Sequence, residues 1–366
     1  MNGSFKILLV ALVIALIGIL TIYSTTYSRE DSSERIICRR QIIWLLVGIL
    51  FYILFSNLSY RKLRDWAPAI YFITLVLLFL VLILGRATMG AQRWLKIIWI
   101  NIQPSELAKL VVIILLARYY SHRSLNTVWS GPSYFGIVRG LILPFLMAAF
   151  PMLLILKQPD LGSSLLIFFV FISMVYIARV NIKYLIILVL ILAVCSPVFW
   201  HLLKDYQKNR LLVFLNPNID PLGAGYTIIQ SKIGVGSGGF FGRGWLSGTQ
   251  SQLRFLPESH TDFIFSSFAE ERGFLGTVVL LSLYVFLIKF CLDIALKEND
   301  PFGRLLAFVI TSILAIQIFI NIAMTVGLAP VVGIPLPLMS YGGSSLLVTF
   351  ISLGILTNID KTRSIF

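Results

Sequence analysis

The strongest constraint on this chain is a series of long, continuously apolar stretches. They fall at 7–22, 42–58, 67–85, 105–120, 139–156, 163–178, 184–202, 273–292, 305–328 and 343–358, and about 20 such residues carry a helix across a bilayer. Strands of a membrane barrel would alternate polar and apolar residues, which these runs do not. The pattern predicts an all-α integral membrane protein with ten transmembrane helices, forming one polytopic domain over 1–366. Composition agrees, because only 13% of the residues are charged, about half of a soluble domain's share.

An even number of crossings puts both termini on one side. Segments on that side hold more Lys and Arg than the short loops opposite, which predicts cytoplasmic termini for a multi-pass membrane protein. No small-residue cleavage site follows the first run, so it is read as a retained helix. The net charge of +14 would suggest nucleic acid in a soluble protein. Here the cytoplasmic loops and an attraction to anionic lipids account for it, and no nucleic acid is expected. Cys38, Cys195 and Cys291 lie too far apart in sequence to read as a metal or disulfide framework.

Between the seventh and eighth runs lies the segment 203–272, far longer than an ordinary connection between bundle helices. It is expected to be a large extracytoplasmic loop that carries the active site. Its glycines, from Gly234 to Gly248 in IGVGSGGFFGRGWLSG, contain a G-x-G-x-x-G match without the strand that a dinucleotide site requires. They suit either a tightly folded loop or a nest of amides for an anion. Further on, Glu258, His260 and Asp262 stand just before apolar sequence resumes. Asp262 reads either as a cap for the next helix or as a general base with a pKa raised at the membrane boundary. His260 is open between base, carboxylate partner and plain polar residue. Glu270 and Glu271, next to Arg272, read as a solvated or paired turn. In QPSELAK, Glu106 and Lys109 share one helical face at i and i+3; they form either a structural ion pair or the polar lining of a substrate cavity.

The strings GAQRWL, QPSELAK, KQPDLGSS, DPLGAGYTIIQSKIGVGSGG, GTQSQLRFLPESHTDFIFSSFAEE and PVVGIPLPLMSYGGSS together resemble the SEDS family (shape, elongation, division and sporulation) of bacterial cell-wall proteins, its elongation branch more than its division branch. The resemblance implies a ten-helix peptidoglycan glycosyltransferase that polymerises lipid II, an undecaprenyl-pyrophosphate-linked disaccharide peptide, beside a class B penicillin-binding protein. It carries the family's essential Asp onto Asp262, its outer-loop Trp onto Trp94, and its membrane-face acid and base onto Glu106 and Lys109.

In such a transfer an acceptor hydroxyl attacks C1 of the donor sugar and a pyrophosphate leaves, so one base suffices. A glycosidase, by contrast, needs a second carboxyl to protonate its leaving group. The departing pyrophosphate needs positive charge, from Arg and Lys or from a divalent cation, Mg or Mn. Outer residues Arg93, Lys96, Lys157, Lys232 and Arg243 are candidates to hold it, with Asp160, Glu258 and His260 completing the expected substrate site beside Trp94. Two other readings accompany this one: a lipid II flippase, and a noncatalytic scaffold for the penicillin-binding protein.

Overall fold

The computed structural model describes residues 3–27, 32–88, 91–97, 100–121, 138–202 and 205–363. It is a helical bundle with one small sheet. In chain order the helices are α1 (Gly3–Tyr27), α2 (Ser32–Asn57), α3 (Tyr60–Leu84), α4 (Pro104–Ser121), α5 (Leu143–Lys157), α6 (Leu161–Ile177), α7 (Ile182–Leu202), α8 (Asp205–Leu215), α9 (Ala224–Ser237), α10 (Thr249–Gln252), α11 (Ile264–Lys297), α12 (Pro301–Thr325) and α13 (Gly343–Arg363). Each of the ten apolar runs falls on a helix. Among the described residues, seven helices are long and apolar enough to cross a membrane: α1, α2, α3, α5 with the π-helical turn Val138–Ile142 before it, α11, α12 and α13.

Burial sorts these helices into layers. α4 is buried along nearly its whole length, and most of the apolar windows of α12 and α13 are buried too. These form the centre. Large apolar side chains on α1, α2, α3 and α5, such as Leu16, Leu46, Phe72 and Phe150, face outward, as expected where the surrounding solvent is hydrocarbon. Close approach within the bundle depends on small residues. A β-carbon on Gly343 would fall 2.0 Å from the Trp44 ring of α2, which shows how little room small residues leave between packed helices.

Three features depart from the sequence reading. First, the connection 86–102 holds a three-stranded antiparallel sheet, β1 (Arg86–Thr88), β2 (Ala91–Ile97) and β3 (Ile100–Ile102), in the order β1-β2-β3. Second, the segment 203–272 is mostly helical: it holds α8, a 3-10 turn (Pro217–Ile219), α9, α10 and the start of α11. Third, α11 begins nine residues before the predicted run and breaks at Gly273, whose φ is 65°.

The break explains the glycine-rich loop. Interrupting a helix frees backbone groups, and buried ones must find partners. The loop supplies them from both sides. Phe274 N donates to Gly239 O at 2.9 Å and Leu275 N to Phe240 O at 3.2 Å, while Arg243 N and Gly244 N donate to Glu270 O and Glu271 O at 3.0 and 3.1 Å. The amides of Arg243 and Gly244 and the carbonyls of Gly239 and Phe240 are spent on the helix, as a tightly folded loop requires. Gly242, with φ 84°, leaves no space for a side chain: its β-carbon would meet Glu271 O at 2.2 Å. The same crowding applies to Gly273, whose β-carbon would meet Gly242 N at 2.2 Å. Gly273→Ala is expected to cost ~2 kcal/mol or more, from left-handed backbone strain plus the clash, read as earlier thermal unfolding in detergent.

Candidate functional site

The turn that carries Asp262 is fixed by backbone bonds before any side chain acts. Glu258 O accepts from Thr261 N at 3.1 Å and from Phe263 N at 3.2 Å. The Glu258 carboxylate also accepts from the Thr261 hydroxyl at 2.7 Å. This folds 258–263 into a compact turn with Glu258 in the left-handed region, φ 52°. The PLPLMSYGG stretch then clamps the turn onto the bundle. Ser340 Oγ donates to Thr261 O at 2.6 Å, Tyr341 N donates to His260 O at 2.9 Å, and the His260 ring lies 5.8 Å from the Tyr341 ring. From α12, Asn321 Nδ2 donates to both Asp262 O at 3.0 Å and Ile334 O at 2.7 Å. The turn is therefore held by elements on both sides of it.

Asp262 is not a helix cap. The cap position of α11 is Phe263, and no side chain caps that end. Among the described residues, none hydrogen-bonds the Asp262 carboxylate. Its pKa is pushed up from 3.8 to about 6, first by burial and then by the neighbouring Glu258 carboxylate; the Arg210 and Arg93 guanidiniums oppose this and Asp160 adds to it. A carboxylate so placed is a base of useful strength near neutral pH.

Asp160 and Arg93 pair with each other and both act on the Asp262 carboxylate through their charge. Asp160 caps α6, accepting from Ser163 N at 3.1 Å and Ser163 Oγ at 2.8 Å, and it also accepts from Gln103 Nε2 and Ser105 Oγ. Arg93 comes from β2. It donates to Pro159 O and lies 3.9 Å from the Asp160 carboxylate. Trp94, its neighbour on β2, pairs in register with Arg86 and is half-buried. The sheet thus delivers Arg93 to the end of α6.

The other nominated residues are distributed differently. Lys157 is exposed at the C-terminal end of α5. Lys232 lies on α9, its amine against Gly327 at the end of α12. Arg243 belongs to a separate cluster, donating to Thr249 Oγ1 at 3.0 Å and approaching Glu270 at 4.0 Å. Glu270 is buried, not solvated, and accepts from Thr249 N at 2.7 Å and Gln250 N at 3.1 Å, which caps α10. Glu271 is buried as well, bonded to the Ser24 hydroxyl. The side chain of Lys96 lies outside the described residues.

Glu106 and Lys109 pair with each other at 2.7 Å, both buried at the start of α4. A cavity of about 20 Å³ lies beside them, walled also by Gln317, Thr349 and Ser352, room for about one water. The pair is the structural ion pair of the first alternative, and the void beside it is too small for a sugar or a peptide. Arg210 was not nominated from the sequence. Only its place in YQKNR, among polar residues of an otherwise apolar chain, could have drawn attention to it. Among the described residues, no group of three or more His, Cys, Asp or Glu could hold a metal ion, and Asp160 is already spent on its cap.

Fold and site together define a polytopic helical membrane protein whose Asp262 carboxylate, raised in pKa, stands within the field of two guanidiniums. The family model for the FtsW, RodA and SpoVE cell cycle proteins matches residues 5–365, and the chain belongs to that family, as the sequence motifs imply. It is 41% identical over 346 residues to the peptidoglycan glycosyltransferase MrdB of Escherichia coli K12, covering 94% of this chain and 91% of that protein. It is 35% identical to a probable peptidoglycan glycosyltransferase FtsW of Geobacter sp. strain M18, covering 97% and 95%. Among solved structures, a chain of a peptidoglycan synthase complex that coordinates polymerization and crosslinking superposes with a TM-score of 0.81 at 33% identity, covering 98% of each chain. The rod shape determining protein RodA of Thermus thermophilus superposes with a TM-score of 0.71 at 29% identity, covering 98% and 97%.

Proposed function

We propose that the protein is a peptidoglycan glycosyltransferase that polymerises lipid II, with Asp262 as general base. The observation that carries this reading is Asp262 itself: a carboxylate that caps no helix, sits on a turn pinned from both sides, and faces two guanidiniums. Asp262 takes the proton of the acceptor sugar's 4-hydroxyl as that oxygen attacks C1 of the donor. The C1–oxygen bond to pyrophosphate breaks, and the lipid pyrophosphate leaves as an anion. Arg93, held at the end of α6, supplies positive charge where that anion forms. A divalent cation, Mg or Mn, would enter with the pyrophosphate oxygens and supply further charge.

Ten crossings complete the topology in this reading, with α4, α6 and α7 added to the seven helices named above. The termini are cytoplasmic and the Asp262 turn is on the outer face of the cytoplasmic membrane, where outer basic residues such as Arg93 meet lipid-linked phosphate. A class B penicillin-binding protein is the inferred partner, in keeping with the synthase complex that the chain superposes on. The names of the relatives favour the polymerase over the flippase and the scaffold.

The test is a gel assay of purified protein with labelled lipid II, with and without the partner, which should yield long glycan. A pH dependence follows as well. The base works as the carboxylate, so kcat/KM should fall as pH drops through about 6, roughly tenfold per unit below it. Measuring kcat/KM between about pH 4.5 and 8 checks this; a profile flat down to the ordinary carboxylate range contradicts it.

A further inference from the structure

Arg210 stands on α8, and its Nη1 donates to the carbonyl of Val331 at 3.2 Å. That carbonyl begins a short stretch, 331–334, on which the rest of the site converges. The Val332 carbonyl would stand 2.5 Å from a β-carbon on Gly162, in the first turn of the helix that Asp160 caps. The Asp262 carboxylate would stand 3.4 Å from a β-carbon on Gly333. Asn321 joins Ile334 O to Asp262 O. Four consecutive residues therefore hold Arg210, the Asp160 cap and Asp262 together, while Arg93 reaches the same cap from the sheet.

We propose that Arg210 is the second fixed cation of the site and, with Arg93, clamps the diphosphate of the lipid-linked donor beside Asp262. The proposal rests on the polymerase reading given above. A diphosphate spreads its charge over two phosphates, and charge grows on it as the C1–oxygen bond breaks. Two planar guanidiniums, each already anchored to a backbone carbonyl, meet that charge with little reorganisation. The same cation acts on the base. Four charged groups face Asp262: Arg210 from α8, Arg93 from β2, Glu258 from its own turn and Asp160 from the end of α6. Removing Arg210 takes away one of the two that favour the carboxylate, so the acid limb of the rate profile moves to higher pH.

The experiment uses the full chain in detergent with undecaprenyl pyrophosphate as the probe, and compares wild type, Arg210→Gln, Arg210→Lys and Asp262→Asn. Arg210→Gln should bind the probe at least ~10-fold more weakly and shift the acid limb upward. Arg210→Lys should restore the position of the limb but only part of the affinity, since an ammonium lacks the planar fork. Equal probe affinity in wild type and Arg210→Gln, or no binding by wild type, overturns the clamp. So does an Arg210→Lys variant that binds as weakly as Arg210→Gln and unfolds early, which would make the role structural. Asp262→Asn should bind the probe and make no glycan. Glycan from that variant would overturn the base while leaving the clamp to be judged by binding alone.

Discussion

Lys109→Met is expected to destabilise the protein by ~3–5 kcal/mol, because it leaves the Glu106 carboxylate buried without its partner. The two groups are each 4% exposed and pair at 2.7 Å, inside a bundle whose neighbouring side chains are mostly apolar. Desolvating two charges is costly, and their mutual attraction offsets that cost only while both are present. Glu106→Gln alone should therefore be damaging too, since it strands the ammonium. The double variant removes both charges and should recover most of the loss, to within about 1 kcal/mol of wild type. Thermal unfolding of the four proteins in one detergent checks the cycle. Additive losses in the double variant would mean that the two groups do not act as a pair.

Much of this architecture is legible in the sequence, because in a bilayer hydrophobic length alone selects helices. Each of the ten apolar runs lies on a helix for that reason. The i, i+3 spacing of Glu106 and Lys109 likewise foretold their pairing. What hydropathy could not show were interactions between distant segments. AQRWLKI forms strand β2 because it pairs with Arg86–Thr88 and Ile100–Ile102, partners that hydropathy along the chain does not reveal. Glu270 and Glu271 look like a solvated turn until the glycine loop folds over them; burial then comes from residues some 30 positions upstream. Gly273 looks like an ordinary start of a span, whereas it is the point where α11 breaks. Arg210 could not be ranked above Lys157 or Arg243 by charge alone. Its connection to the site runs through Val331, more than a hundred residues away.

The Asp262→Asn exchange is expected to abolish polymerisation, lowering the rate by ~10²–10⁴-fold, the range of a positioned general base, while leaving the fold intact. Stability should hold because the carboxylate caps no helix. What fixes the turn is the backbone of Thr261, His260 and Asp262, bonded to Ser340, Tyr341 and Asn321, and the asparagine leaves that backbone unchanged. Asparagine keeps nearly the same shape and cannot take a proton at neutral pH. A neutral amide also relieves the repulsion from Glu258, so the variant is expected to unfold no earlier than wild type.

The most direct measurement is that comparison: wild type and Asp262→Asn, purified alike, incubated with labelled lipid II and the partner at about pH 7.5, well above the Asp262 pKa of about 6. Long glycan from wild type and none from an equally folded Asp262→Asn is the expected result. Equal glycan from both proteins would contradict the account and remove Asp262 from the chemistry.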